Sequence, residues 1–124
     1  MRAIRLSRAG RRGKALARAG ADVRHLVNQD DPFYPYMAAK IAADDHLRGS
    51  GLDWTILGPG ALTTDEPTGR IRRATAATVG ELRDTSRGNV AETIRVALAT
   101  ENSIGKQLEY VDGEEPITAV FAQA

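Results

Sequence analysis

No cysteine occurs among the 124 residues, which excludes disulfides, thiolate metal sites and cysteine nucleophiles. Aromatic residues make up only 5% of the chain, and none interleaves the arginines near the N-terminus, as base stacking there would need. No apolar run approaches the roughly 20 residues that a membrane-spanning helix needs. Only two histidines, His25 and His46, are present; they stand far apart with no third ligand at metal spacing, so packing or surface roles are expected of both. The length is one domain's worth, short of the roughly 200 residues of a complete dinucleotide enzyme. What remains is ordinary globular composition, 42% hydrophobic and 27% charged, and the expectation is a cytoplasmic protein without a membrane segment.

Acid is scarce at one end. Residues 1–24 carry eight Lys and Arg against Asp22 alone, so this stretch stands at +7 and the rest of the chain at −6, within a net charge of +1. Residues 1–12 read as a basic N-terminal arm: a solvated segment, an electrostatic contact to nucleic acid or membrane, or an Arg-rich targeting sequence. No aromatic interleaves the arginines, which argues against nucleic acid.

Residues 13–19 contain good helix formers ending at Gly20, and Ala21 to Val27 reads as a strand. "YPYMAAKIAADDHLR", Tyr34 to Arg48, reads as a helix, with Pro35 in its first turn and Gly49 to Gly51 as a stop. On it Tyr36, Lys40, Ala43 and Leu47 fall on one stripe, while Asp44, Asp45 and Arg48 are expected on the wet side. "DWTILGPG" is a buried strand ending at Pro59, with Trp54 expected in the core. Ala61 to Gly80 looks like loop, with one short strand at Arg70 to Arg73. Ser86 caps a strong amphipathic helix whose stripe is Val90, Ala91, Ile94, Ala97 and Leu98. "KQLEYV" alternates like an edge strand, and Pro116 opens a last short helix. The alternation of strand and helix predicts an α/β fold, a mostly parallel sheet with covering helices, over residues 13–124.

Tyr-x-x-x-Lys puts Tyr36 and Lys40 side by side, one helical turn apart. An ammonium beside a phenol favours phenolate, and such a tyrosine can move a proton at a carbonyl or hydroxyl carbon. The pattern alone is common by chance. Asp65 and Glu66 form a weaker carboxylate pair, and Arg70, Arg72 and Arg73 a small basic cluster able to meet a phosphate.

From Pro32 onward, "YPYMAAKIAADDHLRGSGLDWTILGPGALT", "EPTGRI", "TSRGNVAETIRVALA" and "IGKQLEYVDGEEPI" resemble, in order, the C-terminal half of atypical short-chain dehydrogenase/reductases, the NAD(P)-binding proteins related to nucleotide-sugar epimerases. The resemblance implies a partial or shortened Rossmann-like sheet and NAD or NADP as cofactor. It also implies Tyr36 as general acid/base, Lys40 as its partner and ribose contact, and Pro59, Gly60, Leu62 and Thr63 as a wall of the cofactor pocket. The family's substrates are small molecules; this sequence names none. Gly58 stands where relatives often carry arginine. The opening glycine loop is incomplete: "RAGRRGKAL" offers Gly10 and Gly13, with Leu16 where a third glycine would fall.

Two registers arise for the N-terminal part. Arg2 to Val27 is a shortened opening unit, or Lys14 to Val27 is the later helix and strand that lead into the catalytic segment. The second preserves chain order with the fewest missing pieces; it puts Asn28, Gln29 and Asp30 where the family has a serine-bearing loop. A chain without the first strands leaves a sheet edge open, so a homodimer, a marginal fold or lost turnover is expected.

Overall fold

The computed structural model describes residues 1–6, 30, 32, 34–74 and 84–124. The elements read over 13–19 and 21–27, together with His25 and the glycines Gly10 and Gly13, lie outside the described residues. The elements are β1 (Arg2–Leu6), α1 (Tyr34–Arg48), β2 (Asp53–Pro59), β3 (Ala61–Thr63), β4 (Arg70–Arg73), β5 (Asp84–Ser86), α2 (Arg87–Ala99), a 3-10 turn (Glu101–Ser103), β6 (Lys106–Asp112), β7 (Glu115–Pro116) and α3 (Ile117–Ala122). Five strands form a sheet in the order β1-β2-β6-β4-β7, and β3 pairs with β5 in a separate ribbon. The pairs β1–β2 and β2–β6 are parallel, whereas β4 runs antiparallel to β6 and β7.

Pleating assigns each residue of the sheet to one of two layers. One face holds Leu57, Leu108, Tyr110 and Ile71, packed with Val96 of α2 and Phe121 of α3. The other carries Arg5, Gly58, Gln107 and Glu109, and lies beneath α1, since Arg5 bonds to Asp44 and Arg48 to Gln107. The molecule therefore has three layers: α1, sheet, then α2 with α3.

Several expectations need correction. Residues 2–6 were grouped with a basic arm, yet they form β1, parallel to β2 with Arg5 opposite Ile56. Arg2 is a fastener: its guanidinium donates to the Ala97 carbonyl at 2.5 Å, to Thr55 Oγ1 and Ser103 Oγ at 3.2 Å each, and to the Asp53 carbonyl. A cation at the end of α2 also suits the negative pole of that helix. The strand next to β2 is thus Arg2–Leu6, where the favoured register put residues 21–27.

β6 is central, flanked by β2 and β4. Its alternation arises because one face meets the apolar core and the other the polar layer under α1. The buried side of α2 is Asn89, Val90, Thr93, Val96 and Ala97, while Leu98 is 52% exposed and Ala91 faces water. The helix is rotated away from its most apolar stripe because Asn89 and Thr93 find partners on β6, Asp112 and Tyr110. Trp54 is only half-buried.

Tyr110 is fully buried, and its hydroxyl lies 2.6 Å from Thr93 Oγ1. Burial pushes the phenol up to about 12, with Glu109 and Asp112 adding to the rise and the Thr93 hydrogen bond opposing it. The unfolded phenol titrates near 10. The folded state therefore holds its proton more tightly, so the stability is complete below pH 10 and is lost as pH rises towards 12. Chemical denaturation at pH 8 and pH 11 is expected to show about 1.4 kcal/mol of this alkaline loss in the wild type and none of it in Tyr110→Phe. Equal alkaline losses in both proteins would assign the effect elsewhere.

Candidate dinucleotide site

Sequence and chain direction place α1. Pro35 lies in its first turn, and His46 and Arg48 sit in the last turn, where cations oppose the helix dipole. Gly49, Ser50 and Gly51 close the helix: Ser50 Oγ donates to the Leu47 carbonyl at 2.7 Å, and Gly51 takes φ 78°, a conformation that favours glycine. β2 starts two residues later, so α1 runs back against the strands and its N-terminal half lies over their C-terminal ends.

The level can be read from the register. Asp44 meets Arg5, which pairs with Ile56. Each turn of helix towards Tyr36 climbs about 6 Å, close to two strand residues of about 3.3 Å each. Lys40 therefore stands near the level of Gly58, and Tyr36 near that of Gly60. This is the end of a parallel sheet at which ligands bind in open α/β folds.

Tyr36 is 43% exposed, Lys40 is half-buried, and the Lys40 ammonium lies 5.3 Å from the centroid of the Tyr36 ring. The pair predicted from spacing is in contact, with the cation over the ring face. Pro59 and Gly60 are buried where β2 ends, and Leu62 and Thr63 are half-buried on β3. The Gly60 N–H already donates to the Tyr110 carbonyl at 3.0 Å and to Thr85 Oγ1 at 2.9 Å, so this backbone donor is taken within the fold. Asp65 and Glu66 are exposed in the loop beyond β3. In β4, Arg70 donates to the Glu114 carbonyl at 2.8 Å, a structural bond.

Three features were not foreseen. Asp44 is buried at 7% exposure and bound to Arg5 at 2.6 Å, against its expected place on the wet side. The signal was available, because Asp44 is four residues after Lys40 and so shares its face. Glu109 is the second: a Cβ built at Gly58 would fall on its carboxylate, so the missing side chain at 58 makes room for an acid. Asn89 is the third, a fully buried amide that accepts from Gly69 N–H at 2.9 Å and donates to Asp112 Oδ1 at 2.8 Å. Among the described residues no cluster could hold a metal ion, and no helix is long and apolar enough to cross a membrane.

An α/β sheet, parallel across β1, β2 and β6, with a Tyr–Lys helix over the C-terminal ends of those strands defines a Rossmann-like, dinucleotide-binding class of protein. A family model described as NAD(P)H-binding matches residues 13–101. The chain belongs to that NAD(P)H-binding family and is of the atypical short-chain dehydrogenase/reductase type. The uncharacterized sugar epimerase YhfK of Bacillus subtilis is 33% identical over 90 residues, 73% of this chain and 41% of that protein. An uncharacterized chloroplastic protein of Arabidopsis thaliana is 37% identical over 75 residues, 60% of this chain and 26% of its own. Among solved structures, the oxidoreductase ylbE of Lactococcus lactis superposes with a TM-score of 0.72 at 30% identity, covering 97% of this chain and 50% of ylbE. A putative NAD-dependent epimerase/dehydratase of Bacillus halodurans gives 0.72 at 29% identity, covering 98% and 50%. The chain spans half or less of the length of each of these relatives.

The residues present fit the nicotinamide-ribose part of such a cofactor. Lys40 brings an ammonium to the end of the sheet where β2 closes at the buried Pro59 and Gly60. Tyr36 keeps part of its surface open to solvent at the same end of the sheet.

Proposed function

We propose that this protein binds NADH or NADPH in the cytoplasm through Lys40 and the Pro59–Thr63 ledge, and uses Tyr36 to move a proton in an oxidoreductase or epimerase reaction on a small hydroxyl- or carbonyl-bearing substrate. The observation that carries it is the Tyr36–Lys40 contact, level with the end of β2 on the site side of the sheet. The cofactor, when bound, supplies hydride transfer. Tyr36 gives or takes the proton at the substrate oxygen. Lys40, beside the phenol, holds a ribose hydroxyl. Ser7 follows β1 in the sequence; because β1 is the strand beside β2, Ser7 replaces Asn28 to Asp30 as the candidate for the family's serine.

A second reading, a non-catalytic binding module on the same scaffold, draws support from Gly60, which is buried and whose N–H is already taken by the Tyr110 carbonyl and Thr85 Oγ1. Titration of NADH and NADPH by nicotinamide fluorescence tests the first part. Lys40→Ala is expected to weaken binding about tenfold, the value of one charged hydrogen bond. No binding at millimolar cofactor would reject the proposal, and binding without turnover over a panel of sugar nucleotides and small ketones would favour the module.

A further inference from the structure

The helix that carries Tyr36 and Lys40 is held against the sheet by polar contacts on both sides of β2. On one side Asp44, buried, accepts a hydrogen bond from Arg5 Nε of β1 at 2.6 Å. On the other, one turn along, Arg48 donates to Gln107 Oε1 of β6. Gln107 in turn donates through Nε2 to Glu109 Oε1 at 3.0 Å, and the Glu109 carboxylate fills the space over Gly58, the residue before Pro59. Arg48 also bonds Asp45 at 2.9 Å, which holds its guanidinium in reach of β6.

Apolar burial is non-directional, so it leaves the rotation and height of a helix less sharply set than a hydrogen bond does. Two hydrogen-bonded contacts of different donor and acceptor type, on strands either side of β2, forbid both motions. Roll about the helix axis would break one as it compressed the other, and a slide of one turn would bring Lys40 to Arg5 and like charges into contact. We propose that Asp44 and Arg48 are positioning residues that fix the rotation and height of α1. In this way they aim the Lys40 ammonium at the cofactor ribose. The inference rests on the cofactor reading above, but its geometry can be tested without it.

The test is a double-mutant cycle on NADPH affinity in the full chain. Asp44→Asn is expected to weaken NADPH about tenfold in the wild-type background and hardly at all in Lys40→Ala, since a residue acting through Lys40 has nothing left to aim. Asp44→Glu should restore much of the loss. Equal losses in both backgrounds, or a fall in melting temperature with affinity unchanged, would overturn the positioning role. Hydrogen exchange of the amides of residues 36–42 gives the second readout, in the absence of cofactor. Faster exchange in Asp44→Asn and Arg48→Ala supports the clamp, and unchanged exchange refutes it. If the wild type binds neither NADH nor NADPH, the exchange experiment alone decides the clamp and the cofactor reading falls separately.

Discussion

Asn89→Asp is expected to cost about 3–5 kcal/mol at pH 8, the range for a buried charge left without compensation. The change is isosteric, so packing is untouched and only charge and donors alter. In the wild type the amide nitrogen donates to Asp112 Oδ1 at 2.8 Å and to the Arg70 carbonyl at 3.2 Å, while the amide oxygen accepts from Gly69. Asp112 also accepts from the Ser86 N–H at 3.0 Å, so the start of α2 and the end of β6 hang on one carboxylate. A second carboxylate at position 89 would face the first at hydrogen-bond distance, and the two cannot both ionise cheaply. The pair would keep a proton to a higher pH in the folded state than in the unfolded chain. Stability is then retained below the ordinary carboxylate range and is lost as pH rises through the raised folded value. Urea unfolding at pH 5 and pH 8 checks this: the deficit should shrink clearly at pH 5. A deficit independent of pH would mean that the lost donor, and not the added charge, was responsible.

Tyr36→Phe carries the other large effect. Once a turned-over substrate is in hand, removing the phenol oxygen is expected to lower kcat by about 100- to 10,000-fold, the worth of a positioned acid/base. NADPH affinity should stay within about twofold, since the ring that stacks under Lys40 remains. This split separates Tyr36 from Lys40, whose loss acts on binding. A Tyr36→Phe protein with full turnover would mean the phenol is a packing group, and proton transfer would have to be sought at another hydroxyl.

The sequence was most informative where local chemistry decides structure. Tyr34 to Arg48 forms a helix with the expected ends because Pro35 and Gly49 act within a turn of where they stand. Ser86 caps α2 by accepting from the Asn89 N–H, again a contact three residues long. The Tyr36–Lys40 pair is local too, and it was legible. The misreadings all concern partners distant in sequence. Asp44 is buried against Arg5, 39 residues away; its place four residues after Lys40 puts it on the inner face, but only the distant arginine makes a buried acid tolerable there. Alternation in Lys106 to Asp112 reports two unlike faces, which an edge strand and a central strand beneath a polar layer share. Likewise α2 turns Asn89 and Thr93 inward because β6 supplies Asp112 and Tyr110, and apolar counting weighs those two residues the wrong way. For the site, the Pro-Gly ledge was named from resemblance, while Glu109 could be found only once the register set it opposite Gly58.

Arg2 joins the first strand to a carbonyl 95 positions further along the chain, and its strand pairs with residues about 51 positions away. Few of these contacts can form early in folding, because each must close a long loop before any energy is returned. The β2–β6 pairing spans the same 51 positions, so by loop length the parallel part of the sheet as a whole is slow to form. The arginine that first looked like part of a loose charged tail is a staple between β1, β2, the end of α2 and the turn that follows it, and its loss is expected to show first as faster hydrogen exchange in β1.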